Sequence, residues 1–272
     1  MFLSLICLVI CTFIGTVIKS AEVASSRNQI EIISNISIKS SFSEYNKYLF
    51  DKYNLLFVDT SYKGVCDGGK ASFSRHISQY VDTNMDINGE KQTGFEFVSV
   101  EVENDTYATD NDYEMLFEQI KEYVINTKGL SQQCTAEELV DIYIETKINN
   151  AQFLERYYEL YEEELYAVVL EKTDYFESFI EENELPNYEN EHTDIVDIPL
   201  VVSEINLEDI ISYLQYDNKK NVFLDLLCKD MKENYSANFD LNNHLCAAKV
   251  TIFMETAQGK AYECYREIDL SE

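Results

Sequence analysis

Apolar residues along this chain recur mostly at three- and four-residue steps, the spacing of helices that bury one face. From Ser43 onward Tyr45, Tyr48, Leu49, Tyr53, Leu56 and Phe57 keep that step. After the turn residues of VCDGGK it resumes through Phe73, Ile77, Tyr80 and Val81. From Asp110 to Lys128 the stripe runs through Tyr113, Leu116, Phe117, Ile120 and Val124, then stops at Gly129, a residue suited to the left-handed position that ends helices. Thr135, followed three positions later by Glu138, forms a capping-box pattern and opens another helix. That pattern continues toward Leu170 with a break near 149–151. Thr173, Phe176, Phe179 and Ile180 predict a short helix that ends before Pro186. Further helices are predicted over 206–216, 221–234 and 240–257, with a short one after Gly259.

Two stretches alternate instead. QIEIISNISI, through Ile30, Ile32, Ile36 and Ile38, predicts a short strand or extended arm. GFEFVSVEVEN, with Phe95, Phe97 and Ser99 or Val98, Val100 and Val102, is the better strand candidate. The expected fold is mainly α: an irregular multi-helix bundle with at most one or two short strands in the N-terminal half. The two prolines, Pro186 and Pro199, fall in one segment, which makes 185–200 the candidate linker or domain sub-boundary.

The first twenty residues add a compartment. FLSLICLVICTFIGTVI, closed by Lys19 and Ser20, reads as a secretory signal over 1–20 with a cut after Ser20, leaving 21–272 as a secreted helical domain. An uncleaved anchor is the rival, because the run approaches bilayer-spanning length. The polar AEVASSRNQ that follows, with no flanking basic cluster, favours cleavage. The net charge of −29 becomes −30 once Lys19 is removed. Such a surface repels phosphates and anionic lipid, which argues against nucleic acid and membrane partners. It favours basic proteins and cationic small molecules. With 46% hydrophobic residues the chain is no disordered acidic tail.

In the mature chain Cys66, Cys134, Cys228, Cys246 and Cys264 remain, and an odd number leaves room for an intermolecular link and a homodimer. If 221–234 and 240–257 form a helical hairpin turning near Ala237, Cys228 and Cys246 lie at the same height and are expected to form a disulfide. Asn35, Asn104 and Asn234 head glycosylation sequons.

FLERYYELYEEELYAVVLE, 153–171, is both aromatic and acidic. Its Leu154, Tyr157, Tyr158, Tyr161 and Leu165 share a helical stripe, as a core-facing helix with a solvated acidic face requires. A less conventional use of Tyr157, Tyr158, Tyr161 and Glu162 is a cage for a cationic ligand such as a biogenic amine. DTNMDINGE, 82–90, resembles a calcium loop, but Phe95 stands where the bidentate glutamate belongs, so it reads as a turn. No GxSxG or phosphate-loop spacing occurs, and His76, His192 and His244 are the only histidines. The chain is expected to be no enzyme and to carry neither metal nor cofactor.

The MFLSLICLVICTFIG leader, an acidic mature chain of about thirty kilodaltons, tyrosine-rich helices and cysteines concentrated toward the end together resemble the 34 kDa salivary secreted proteins of culicine mosquitoes. That resemblance spans the chain from leader to Cys264 without a short diagnostic motif. It implies an α-helical saliva protein with host-directed, immunomodulatory activity. Host proteins or cell surfaces, rather than a substrate, are then the expected partners.

Overall fold

The computed structural model describes residues 2–87, 90–91, 94–130, 134–172, 210–257 and 259–271, which belong to two units. The first comprises Met1–Asp51, Leu56–Met115 and Asp240–Glu272; the second comprises Lys52–Leu55 and Leu116–Phe239.

Long-range strand pairing organises the first unit. Its elements are α1 (Phe2–Ser43), α2 (Lys47–Tyr53, whose last two residues belong to the second unit), β1 (Val58–Asp59), α3 (Gly69–Met85), β2 (Asp86–Ile87), β3 (Glu90–Lys91) and β4 (Phe95–Tyr107). After the intervening helices, β5 (His244–Thr256) and β6 (Ala261–Asp269) return to complete a four-stranded antiparallel sheet. β5 is its centre: β4 pairs along one side, β6 along the other, and β1 meets β5 at Leu245 and His244. Ala248, Val250, Ile252 and Met254 of β5 alternate into the core. Against them pack Ile30, Ile33, Ile38 and Phe42 of α1 and Phe73, Ile77, Val81 and Met85 of α3. Each buried Val, Ile, Phe or Met among them contributes about 1.5–3 kcal/mol.

This architecture corrects the expected bundle. The protein is mainly helical, but its sheet is real and takes strands from both halves of the chain. The helix expected over 240–257 is β5 preceded by a 3-10 turn at Leu241–Asn243, and the short helix expected after Gly259 is β6. QIEIISNISI is helical, part of α1. GFEFVSVEVEN does form a strand, β4. The all-α hairpin that was to join Cys228 to Cys246 does not exist, because Cys246 is on β5; no disulfide forms, and every cysteine is a thiol. Every described residue from 2 to 22 is exposed, and α1 is long and apolar enough, by length and composition, to cross a membrane.

The second unit is helical: α4 (Asp110–Lys128) from Leu116 onward, α5 (Ala136–Lys147), α6 (Asn150–Lys172) and α7 (Tyr216–Asn234). α4 begins with Asn111, Asp112 and Tyr113 in left-handed conformation, so its regular helix starts later than the stripe suggests. Phe117, Phe223, Tyr143 and Tyr123 form an edge-to-face series with centroid separations of 6.2, 5.6 and 5.9 Å. The capping box forms as expected: Glu138 N–H donates to Thr135 Oγ1 at 3.2 Å, and Thr135 N–H donates to the Glu138 carboxylate at 2.8 Å. Thr135→Ala is expected to lower stability by about 1 kcal/mol, read as a shifted urea midpoint with an unchanged slope. The helix expected over 206–216 is not continuous: Ile210 and Ile211 are helical, 212–214 form a turn and bend, and Gln215 caps the next helix, while 206–209 lie outside the described residues. The short helix at Thr173, the 185–200 linker and His192 also lie outside the described residues.

Candidate functional site

Residues directly opposite one another in antiparallel strands share a face, so the register also defines the side of the sheet turned away from the core. Across β4, β5 and β6 its rows are Glu96, Glu255 and Ala261; Ser99, Phe253 and Glu263; Glu101, Thr251 and Tyr265; and Glu103, Lys249 and Glu267. All six glutamates are exposed. Strand geometry spaces these positions about 4.8 Å across the sheet and about 7 Å along each strand. Glu96 with Glu255 and Glu101 with Glu103 therefore lie within the ~8 Å screening length of physiological salt.

One cation interrupts these rows. Lys249 Nζ lies 3.5 Å from the Glu103 carboxylate and 5.6 Å from the centre of the Tyr265 ring. The lysine is thus engaged within the face, beside Glu103 and opposite Glu267, and the other four glutamates extend along the strands from it. Tyr265 is 65% exposed, and Val98, at the β4 bulge between Phe97 and Ser99, is 58% exposed. The combination is a rigid lattice of negative charge with an aromatic and an aliphatic contact. Chemically it suits the attraction of cations. Like charges side by side on strands repel, so a basic partner also relieves a strain the face carries alone.

The sequence-predicted site residues are elsewhere. Tyr157 is buried and donates its hydroxyl to Glu164 at 2.6 Å; the backbone N–H of Gln215 and the side-chain amide of Asn218 converge on the same carboxylate. Burial, reinforced by Glu164, pushes the Tyr157 phenol far above its ordinary range. Tyr161 packs 5.2 Å from Tyr157 and accepts a hydrogen bond from Asn221. Tyr158 instead donates to Glu162 at 2.8 Å on an exposed flank. The structure therefore divides these four residues into two pairs, buried Tyr157 with half-buried Tyr161, and Tyr158 with Glu162 at the surface. Of the sequon asparagines, Asn35 is half-buried and accepts from Arg266, Asn104 is exposed at the β4 irregularity with φ 50°, and Asn234 is exposed at the end of α7.

His76 Nε2 lies 2.6 Å from Glu44, with the ring stacked on Tyr62. His244 is buried. Asp86–Ile87 and Glu90–Lys91 pair across the calcium-like segment, whose Asn88 and Gly89 lie outside the described residues. Among the described residues no group of three or more His, Cys, Asp or Glu side chains is arranged to hold a metal ion. Sequence reasoning missed the glutamate lattice, although Lys249, Thr251, Phe253 and Glu255 alternate with Ala248, Val250, Ile252 and Met254 in plain view. No family model, no curated protein and no solved structure matches this chain.

Proposed function

We propose that the protein is a secreted, non-enzymatic effector of the salivary type, which acts on a host by binding basic proteins or cell surfaces through the open face of its sheet, with an immunomodulatory outcome. The observation that carries this reading is the set of six exposed glutamates spread over a face fixed by three strands, whose one lysine is already engaged by Glu103. A chain of net charge −29 attracts basic partners from a distance, and the sheet supplies a place for them to settle. The host and the immunomodulatory outcome come from the resemblance to culicine salivary proteins. Secretion is supported by the apolar leader. Every described residue from 2 to 22 is exposed and core packing begins at Ile30, so cleavage after Ser20 removes nothing from the core.

The test is binding to an immobilised lysine-rich protein across a salt series. Affinity is expected to fall steeply with ionic strength. Glu101→Gln, Glu103→Gln and Glu267→Gln combined are expected to weaken it about tenfold, each exposed ion pair contributing about 0.5 kcal/mol. Binding indifferent both to salt and to the triple variant would overturn the assignment.

A further inference from the structure

We propose that the basic partner is held as an added strand: an extended segment, alternating basic and small apolar residues, pairs with the outer edge of β4 over 99–103. This rests on the binding function above and specifies how the partner is seated.

β4 stands at the end of the sheet, with β5 on one side and, among the described residues, no strand on the other. Such an edge offers unpaired backbone donors and acceptors to any extended chain that reaches it. Register shifts at Phe97/Ser99 and Glu103/Thr106 bound the run 99–103, which pairs regularly with β5 from Phe253 back to Lys249. Bulges twist an edge and discourage pairing, so this regular run is where a guest strand fits.

A groove of about 450 Å³ accompanies that run, walled by Ala71 and Ser74 of α3 and by Val100, Glu101, Val102 and Glu103 of β4. Within it Ser74 Oγ donates to the Val100 carbonyl at 3.0 Å. A side-chain hydroxyl therefore occupies an acceptor on this edge, and a strand N–H can take its place at little cost. The opposite edge is differently placed, since α1 lies beside β6 and its Asn35 accepts a hydrogen bond from Arg266.

The pleat then dictates the partner's sequence. Alternate side chains of an added strand fall on the open face beside Glu101 and Glu103, where a lysine or arginine is favoured. The intervening side chains enter the groove against Ala71 and Val100, where small apolar groups fit. Lys70 on the same groove wall disfavours a cation on that side. Alternation, and not basicity alone, is the recognised feature.

The test uses the purified full chain at low salt and a fluorescent short peptide alternating arginine and valine. Two further versions carry N-methyl groups on every second backbone nitrogen, one in each phase. A block peptide of the same composition completes the set. The alternating peptide is expected to bind, and the block peptide to bind at least about tenfold more weakly. N-methylation is expected to cost at least about tenfold in one phase only, because only one set of N–H groups faces β4. Ala71→Phe, with its fold checked by circular dichroism, should fill the groove and weaken the alternating peptide by a similar factor. Equal behaviour of the two N-methyl phases, whether both bind or both fail, overturns strand addition. If the block peptide binds as well as the alternating one, recognition by alternation falls while cation binding by the face stands. If no basic peptide binds at low salt, the proposed function falls as well.

Discussion

Replacing Lys219 by alanine is expected to lower the unfolding free energy by about 3–5 kcal/mol, the cost of leaving one partner of a buried ion pair behind. Lys219 lies in the first turns of α7 with its side chain fully buried. Its Nζ is 3.1 Å from Glu137 Oε1 and 2.7 Å from Asp141 Oδ1, two carboxylates four residues apart and so neighbours on one face of α5. The two contribute unequally. Glu137 is 46% exposed, and water can solvate it when the lysine is gone. Asp141 is 13% exposed, and burial pushes its carboxyl above the ordinary range more than Lys219 draws it down. The loss therefore falls mainly on Asp141. Pairing Lys219→Met with Asp141→Leu removes both charges and is expected to recover most of it. Urea unfolding of the single and double variants decides the matter: a Lys219→Ala midpoint close to that of the parent would show that the pair is not a buried determinant of stability.

The second large effect is an acid-sensitive loss of stability through His244. The imidazole is buried; Nδ1–H donates to the Asp240 carbonyl at 2.9 Å, and Nε2 accepts from the Asn46 side-chain amide at 3.1 Å. That arrangement fits the neutral ring alone, since a second N–H would face the amide donor. Asn46 is not free to turn, because its Oδ1 accepts the backbone N–H of Leu49 at the start of α2. Burial lowers the pKa of His244 below its ordinary 6.5, with Asp59 and the Asp240 backbone opposing. The unfolded chain thus takes up a proton that the folded chain refuses. Stability is complete above about pH 6.5 and declines by about 1.4 kcal/mol per unit as pH falls toward the folded pKa. Between pH 7 and pH 5.5, above the range where most carboxylates titrate, His244→Gln should flatten this slope. An identical slope in the variant would assign the acid sensitivity to other groups.

Which parts of this fold were legible in the sequence follows from side-chain size and contact order. α3, α5 and the body of α4 each carry their stripe in large apolar residues, and the Thr135–Glu138 box marks its own boundary. α1 was obscured by serine. Its buried positions, Ile30, Ile33, Ser34, Ser37, Ile38, Ser41 and Phe42, follow helical spacing without a gap, but three are small hydroxyl residues that hydropathy reads as polar. The isoleucines alone then imitate an alternation. Ser37 and Ser41 are accommodated by hydrogen bonds, Ser41 to the Ser37 carbonyl and Ser37 from Asn84.

β5 failed for a different reason. Its outward Thr251 and Phe253 are as strand-like as its inward residues, so Val250–Met254 reads as a short run without clear alternation, which periodicity cannot distinguish from a buried helix, and Lys249 and Glu255 alone mark the polar side. Only its partners, β4 and β6, reveal what it is. The acidic site inherits that difficulty: Glu101, Glu255 and Glu267 are far apart in sequence and become one surface only when the register is known.

The central place of β5 also fixes a sequence of events during synthesis. β1 and β4 are made early, yet the strand that both must join begins at His244, after every helix of the second unit has been translated. Until then Val102 of β4 and the core-facing side of α3 have no sheet to pack on. The first unit therefore completes itself only after β5 and β6 have been translated, whereas the second, whose residues all precede Asp240, can close earlier. A chain stopped before β5 would keep a helical unit and leave β4 bare on both edges, a form prone to aggregate rather than a smaller version of the protein.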